Sequence, residues 1–222
     1  MKIALLGAGK TGSKVLEVAQ DHEVTAFDLD NKPTVEALRE HDVVISFLTG
    51  DVFVTYIDML VESAVPVATG STGFDWPKDI SERLQQQNVA WIAASNFSLG
   101  MNLVHGMISV LAKATQLYEN PSFAIHEIHH VHKLDKPSGT ALSWREWLGE
   151  QADITSERTG DNPGFHELTL QTEFEDIVLS HQSKDRKLFA QGALWAAQRL
   201  AEGAVPAGLH SMQEIISKEL QI

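Results

Sequence analysis

A chain of 222 residues holds one large domain or two modest ones, and 43% hydrophobic with 21% charged residues marks it as core-forming rather than disordered. It contains no cysteine, which excludes disulfides, thiolate metal sites, iron–sulfur clusters and a cysteine nucleophile. The net charge of −13 repels nucleic acid and anionic membranes alike, so the expected partner is a small molecule.

The opening apolar run MKIALL reaches glycine too soon for a secretory signal core, and no stretch of about 18 apolar residues follows. A cytoplasmic protein is expected. Residues 3–6, 24–28, 42–48, 65–69 and 89–94 are short, apolar runs separated by helix-length segments, the pattern of buried parallel strands. Residues 12–20, 33–40, 52–63 and 77–87 supply the crossover helices, with Pro33 and Pro77 suited to first-turn positions. The fold class is therefore α/β, a Rossmann-like parallel-sheet domain.

After Asn96 the pattern changes. Residues 101–118 carry one long helical periodicity, followed by a strand at 122–130, a short helix at 140–148 and two alternating segments at 166–172 and 176–182. This is an α+β unit. Residues 151–164 are polar and read as a mobile loop. The last forty residues read as helical, with one apolar stripe through Phe189, Ala193 and Leu200 and another through Leu209, Met212, Ile216 and Leu220. The expected division is 1–98 plus 187–222 as one domain and 99–186 as the other.

Gly7, Gly9 and Gly12 form G-A-G-K-T-G directly after the first strand and at the opening of a helix, the context of a dinucleotide fingerprint. Gly7 permits the tight turn, Gly9 lets backbone approach a pyrophosphate, and Gly12 lets helix and strand pack closely. Asp28 ends the second strand 21 residues after Gly7, where its carboxylate can accept hydrogen bonds from ribose hydroxyls or simply close a turn. A 2′-phosphate would meet Asp28 followed by Leu29 and Asp30, with Lys32 the nearby cation, so NADH is favoured over NADPH.

The densest polar constellation is E-I-H-H-V-H-K-L-D-K-P-S-G-T-A, residues 127–141. Three histidines and two lysines beside a Ser-Gly-Thr turn suit an anionic substrate, carboxylates above all. Strand alternation puts Glu127 and His129 on one face and Ile128 and His130 on the other. His129, His130 and His132 cannot then converge on one metal ion, and none is expected. Solvated histidines at a strand end are the plain reading. The chemical reading makes a histidine the proton donor and a lysine the carboxylate contact.

The 127–141 segment resembles the signature of the 4-hydroxy-tetrahydrodipicolinate reductase (dihydrodipicolinate reductase) family. Gly70-Ser71-Thr72-Gly73-Phe74 is similar to its nicotinamide loop, Ser95 to Asn102 to its hinge segment, and Asp185 to Ala193 to its late R-x-x-F-A-x-G-A stretch. The resemblance implies reduction of a cyclic unsaturated imine dicarboxylate to tetrahydrodipicolinate in lysine and diaminopimelate biosynthesis. It further implies NADH or NADPH as cofactor and a homotetramer built through the sheets of the middle domain. By the same resemblance His129 is the proton donor and Lys133 the catalytic lysine, while His130, Ser138, Gly139 and Thr140 hold substrate carboxylates. Gly7, Gly12 and Asp28 would hold the adenosine diphosphate half of the cofactor. Phe47, Gly70, Thr72 and Phe97 would line the nicotinamide half, with Arg186 close to both ligands. Where the family's third strand ends D-F-T, Ser46-Phe47-Leu48 keeps only the aromatic, and Leu29 stands where an arginine often follows the acid of the second strand. The rival readings are another nicotinamide-dependent dicarboxylate or amino-acid dehydrogenase, and a non-catalytic dinucleotide-binding sensor.

Overall fold

In a computed structural model, which describes residues 1–221, the chain forms two compact units: 1–99 with 187–221, and 100–186. The elements run in order as β1 (Lys2–Leu6), α1 (Gly12–Val18), β2 (Glu23–Phe27), α2 (Val35–Leu38), β3 (Val43–Ser46), α3 (Gly50–Val54), α4 (Ile57–Ser63), β4 (Val67–Thr69), α5 (Ile80–Gln86) and β5 (Ala90–Ala93). The second unit follows with α6 (Leu99–Ala114), β6 (Ser122–His129), α7 (Gly139–Leu148), β7 (Ala152–Arg158), β8 (Phe165–Gln171) and β9 (Asp176–Gln182). The chain then returns to the first unit with α8 (Lys187–Ala201), β10 (Gly208–Ser211) and α9 (Met212–Leu220).

The first unit is a six-stranded parallel sheet in the order β10-β5-β4-β3-β1-β2, a Rossmann-like arrangement. Its strands are apolar on both faces because both faces are covered. Ile3, Leu5, Val43, Ile45 and Ile92 pack with Val15 and the small residues Ala190, Ala193, Ala196 and Ala197 of α8. Ala4, Leu6, Val44, Val67 and Trp91 pack on the opposite side with Leu38, Phe53, Leu60 and Leu84. Period-two alternation along each strand thus feeds two separate cores.

The second unit is a four-stranded mixed sheet in the order β7-β6-β8-β9. β6 and β7 are parallel and joined through α7, while β8 and β9 are antiparallel to their neighbours. One face carries Phe123, Ile125, Leu168 and Leu170, which pack on Met101, Val104 and Ile108 of α6 and on Ala141, Trp144 and Leu148 of α7. Ser138 caps α7, its hydroxyl accepting from the Ala141 amide at 3.2 Å, and Gly149 ends it at φ +68°.

Three expectations are corrected. Residues 151–164 are not all loop, because Ala152–Arg158 pairs with β6 as a strand whose alternate residues turn inward. The C-terminal segment is not wholly helical: Gly208–Ser211 adds a sixth parallel strand beside β5, and Leu209 belongs to that strand rather than to a helical stripe. Residues 52–63 are not one helix: Gly50–Val54 ends at its C-cap Thr55 and Ile57–Ser63 restarts after Tyr56. Among the described residues no helix is long and apolar enough to cross a membrane.

Candidate active site

The glycine turn lies between β1 and α1. Gly7 has φ +87°, and a Cβ there would stand 3.1 Å from the backbone of Phe47 and Leu48. A Cβ on Gly12 would collide with the Gly7 carbonyl, so helix and strand approach only because both positions lack side chains. Nothing lies within 4 Å of the Cβ position of Gly9, which leaves the mouth of the turn open. Two cavities flank the turn. One, of about 210 Å³, is lined by Gly7, Phe27, Asp28, Leu29, Leu48 and Tyr56. The other, of about 170 Å³, is lined by Thr11, Phe47, Gly70, Asn96, Phe97 and Phe189. Phe47 and Phe97 meet edge to face at 5.9 Å, and a Cβ on Gly70 would strike the Phe47 ring. A glycine turn opening on an apolar slot at one side and an aromatic slot at the other fits a dinucleotide.

Of the predicted cofactor residues, Gly7 and Asp28 line one cavity, Phe47, Gly70 and Phe97 line the other, and Gly9 and Gly12 belong to the turn itself; two stand apart. Thr72 is exposed and lines neither cavity, and Arg186 is an exposed residue at the end of the second unit. Asp28 closes a turn, since its Oδ1 accepts from the amides of Asp30 and Asn31 at 2.9 and 2.8 Å. Thr11 of the glycine fingerprint and Phe189 of the late R-x-x-F-A-x-G-A stretch also line the cavities, whereas Tyr56 does so without any motif having singled it out.

In the second unit, Glu127 and His129 occupy the inner face at the end of β6, as alternation requires, and both are buried. The Glu127 carboxylate is fully enclosed. Its Oε2 is hydrogen-bonded to His129 Nδ1, and its Oε1 accepts from Arg158 Nη2 at 2.9 Å and the Ser138 amide at 3.3 Å. Burial pushes the Glu127 pKa up, but the bonds from Arg158, Ser156 and His129 outweigh it and hold the group at about 2. An ionised carboxylate can only accept, which assigns the His129 ring proton to Nδ1 and leaves Nε2 bare. His129 is itself held below its ordinary value, because burial outweighs the attraction of Glu127 while Lys133 and Arg158 add repulsion.

Arg158 ties the site together. Beyond Glu127 it donates to the carbonyls of Lys133, at 3.3 Å, and Asp135, so the loop after β6 is pinned to the carboxylate beneath His129. Lys133 is half-buried and paired with Asp135 at 2.8 Å, and the lysine holds the Asp135 carboxyl below the usual range. The His130 and Val131 amides bond to the Asn162 and Gly160 carbonyls, which fastens the same loop from its other side. His166 of β8 lies edge-on to His129, with ring centroids 5.0 Å apart, and its Nε2 meets the Ser138 hydroxyl at 3.1 Å. Burial depresses the His166 pKa to about 3, keeping it neutral. His130 Nδ1 is shielded from solvent and has no hydrogen-bond partner among the described residues.

The structure therefore gathers His129, Lys133, Ser138 and the turn of Gly139 and Thr140 around one strand end and one helix N-terminus. Glu127, Arg158 and His166 join them, and only the shared face of Glu127 and His129 was visible in the sequence. The ligand atoms of Glu127, His129 and His166 lie within 4.8 Å of one another, a spacing that would admit a cation. Arg158 already neutralises that carboxylate, and Lys133 adds a second positive charge nearby.

A parallel six-stranded sheet with a glycine-rich first turn, carrying a separate α+β unit with a buried acid–base pair, defines the class of two-unit Rossmann-type dinucleotide-binding proteins. Residues 1–97 match the family model "Dihydrodipicolinate reductase, N-terminus" and residues 100–216 the model "Dihydrodipicolinate reductase, C-terminus". The chain belongs to the dihydrodipicolinate reductase family. It is 34% identical to a 4-hydroxy-tetrahydrodipicolinate reductase of Christiangramia forsetii, with 98% of each chain covered. It is 33% identical to the reductase of the same name from Haloarcula marismortui, over 88% of this chain and 92% of that one. Its fold is shared with a dipicolinate-bound dihydrodipicolinate reductase from Paenisporosarcina, at a TM-score of 0.76, 20% identity, and coverage of 97% and 99%.

Proposed function

We propose that the chain reduces the cyclic unsaturated imine dicarboxylate derived from 4-hydroxy-tetrahydrodipicolinate to tetrahydrodipicolinate, a step of diaminopimelate and lysine biosynthesis in the cytoplasm. The observation that carries this reading is the buried His129–Glu127 pair beside Lys133 and the Ser138-headed helix, in a chain of the reductase family. A bound nicotinamide supplies the hydride. Gly7, Gly9, Gly12 and Asp28 would hold the adenosine diphosphate half of that cofactor, and Phe47, Gly70, Thr72 and Phe97 the other half, with Arg186 as a further contact. The open space at Gly9 and the two flanking cavities support this assignment for all but Thr72 and Arg186, which rest on the motif resemblance alone. NADH is favoured, because Leu29, 84% exposed, stands where a 2′-phosphate would need a cation.

His129 delivers the proton from Nε2, the nitrogen not turned toward Glu127. Its pKa is depressed in the free protein, and a dicarboxylate substrate brings two negative charges that favour the imidazolium. Lys133 acts as a point charge on a carboxylate and stabilises negative charge as the double bond is reduced. His130, Ser138, Gly139 and Thr140 hold the other carboxylate, with the start of α7 offering amide donors. Residues 1–98 with 187–222 act as the dinucleotide-binding domain, and 99–186 as the substrate and oligomerisation domain of a homotetramer.

The test is a coupled assay that generates the substrate in place and follows loss of NADH absorbance. NADH oxidation that requires the generated substrate is expected. Oxidation with other dicarboxylate or amino-acid partners but not with this one would assign a different dehydrogenase, and cofactor binding without any turnover would assign a sensor.

A further inference from the structure

Glu127 lies beneath the reacting groups, fully enclosed, with polar neighbours from its own strand β6, from β7, which supplies Ser156 and Arg158, and from the head of α7. Its Oε2 faces His129 Nδ1. Its Oε1 faces the Arg158 guanidinium of β7 at 2.9 Å and the Ser138 amide at the head of α7 at 3.3 Å. A buried carboxylate costs several kcal/mol to desolvate and persists only where its partners repay that cost. Here the partners are a guanidinium and a hydroxyl of β7, one helix cap and one imidazole, none of which needs a charge for packing alone.

We infer that Glu127 is a positioning residue for the reduction: oriented by Arg158 and the Ser138 amide, it fixes His129 in the Nδ1–H tautomer and leaves Nε2, on the side away from Glu127, to carry the transferred proton. The inference rests on the reading of His129 as proton donor. The orientation is over-determined, because Arg158 and the Ser138 amide can only donate. They hold Oε1 as an acceptor, which turns Oε2 to the imidazole.

This arrangement makes an unusual demand on the isosteric Glu127→Gln variant. Its amide oxygen must stay at the Oε1 position, facing Arg158 and the Ser138 amide. The NH₂ then takes the Oε2 position against His129 Nδ1. An NH₂ there can only donate, so Nδ1 must become the bare nitrogen and the ring proton must move to Nε2. The loss of negative charge also disfavours the imidazolium. The charged groups facing His129 from every packed element are Glu127 of β6, Lys133 of the loop, Arg158 of β7 and neutral His166 of β8. With Glu127 neutralised, those remaining are cationic or neutral. The ring therefore loses its proton at lower pH, and a rate that needs the acid form falls off at lower pH.

The experiment labels histidine with ¹⁵N in the full chain and reads the ring nitrogens of His129 by NMR, identified by their loss in His129→Gln. It is paired with kcat and kcat/KM against pH for the wild type, Glu127→Gln and Glu127→Asp. The expected wild type carries its proton on Nδ1. Glu127→Gln should carry it on Nε2, with kcat lower by roughly 10²- to 10⁴-fold, cofactor affinity retained, and the falling limb of the pH profile moved to lower pH. Glu127→Asp keeps the charge and should keep the wild-type tautomer. A wild-type proton on Nε2 overturns the proposal even if the variants fail to fold, and so does a Glu127→Gln profile with unmoved limb and undiminished kcat. The tautomer is read without substrate, so it stands apart from the proton-donor reading, which turnover of His129→Gln decides alone.

Discussion

Gly164 sits directly against the bare nitrogen of His129. A Cβ at Gly164 would stand 3.1 Å from Nε2, and its φ of +149° is one that side chains rarely adopt. Gly164→Ala should therefore crowd the proton-carrying atom and strain the loop by about 1–3 kcal/mol. The expected result is a lower melting temperature together with a larger loss in kcat than in NADH affinity; unchanged kcat would show that nothing approaches Nε2 from that side. In the first unit, Asp28 and the exposed Leu29 predict that NADH is used at least as efficiently as NADPH, and that Asp28→Ala narrows the ratio. Comparing kcat/KM for the two cofactors checks this, and a tenfold or greater preference for NADPH would contradict it. These positions differ in how far sequence exposes them. The Gly7, Gly9 and Gly12 spacing states its own geometry, and alternation places Glu127 beside His129. Arg158 gives no such signal, because its role depends on the register that sets it beside His129 across β6 and β7.

β7 and β10 explain why two elements escape a reading by pattern. β7 turns Ala152, Ile154, Ser156 and Arg158 inward, an alternation of which only half is apolar, so it resembles a polar loop. β10 has Leu209 as its only large apolar residue and is ordered by pairing with Val89 and β5, a long-range cause that no local window contains. The long helices and the buried central strands are legible because period and apolarity agree over their whole length. β6, α7 and β8 also make the second unit sensitive to acid. Glu127, held at about 2, contributes stability above its unfolded value near 4.5 that is lost as pH falls through about 2. His166, held neutral down to about 3, is fully accommodated above 6.5 but penalised below it, because the unfolded chain takes up a proton that the folded unit refuses. Both effects have the same sign. Stability measured by denaturant should decline from pH 6.5 toward 3, and His166→Gln should flatten the upper part of that decline. A slope unchanged in His166→Gln would remove the histidine from the account.

The two units divide the labour by composition: one buries apolar strands on both faces, while the other admits Glu127, His129 and His166 into a core otherwise built from Phe123, Ile125, Trp144 and Leu168. The face of the four-stranded sheet away from α6 and α7 carries Ile128, Phe165 and Val178 among polar residues, the surface through which the homotetramer is proposed to form. Light scattering should give a mass four times that of the chain, and a fully active monomer at micromolar concentration would contradict the assembly. Family membership and fold were both announced by motifs spread from Gly7 to Ala193, whereas the support beneath His129 emerges only once β7 and β8 are in place. The most direct trial of the whole reading is steady-state turnover with NADH and the generated imine dicarboxylate, for wild type, His129→Gln and Lys133→Ala. The wild type should turn over, His129→Gln should lose roughly 10²- to 10⁴-fold in kcat with NADH binding intact, and Lys133→Ala should lose kcat and raise the substrate KM. Near-normal turnover in both variants would contradict the assignment.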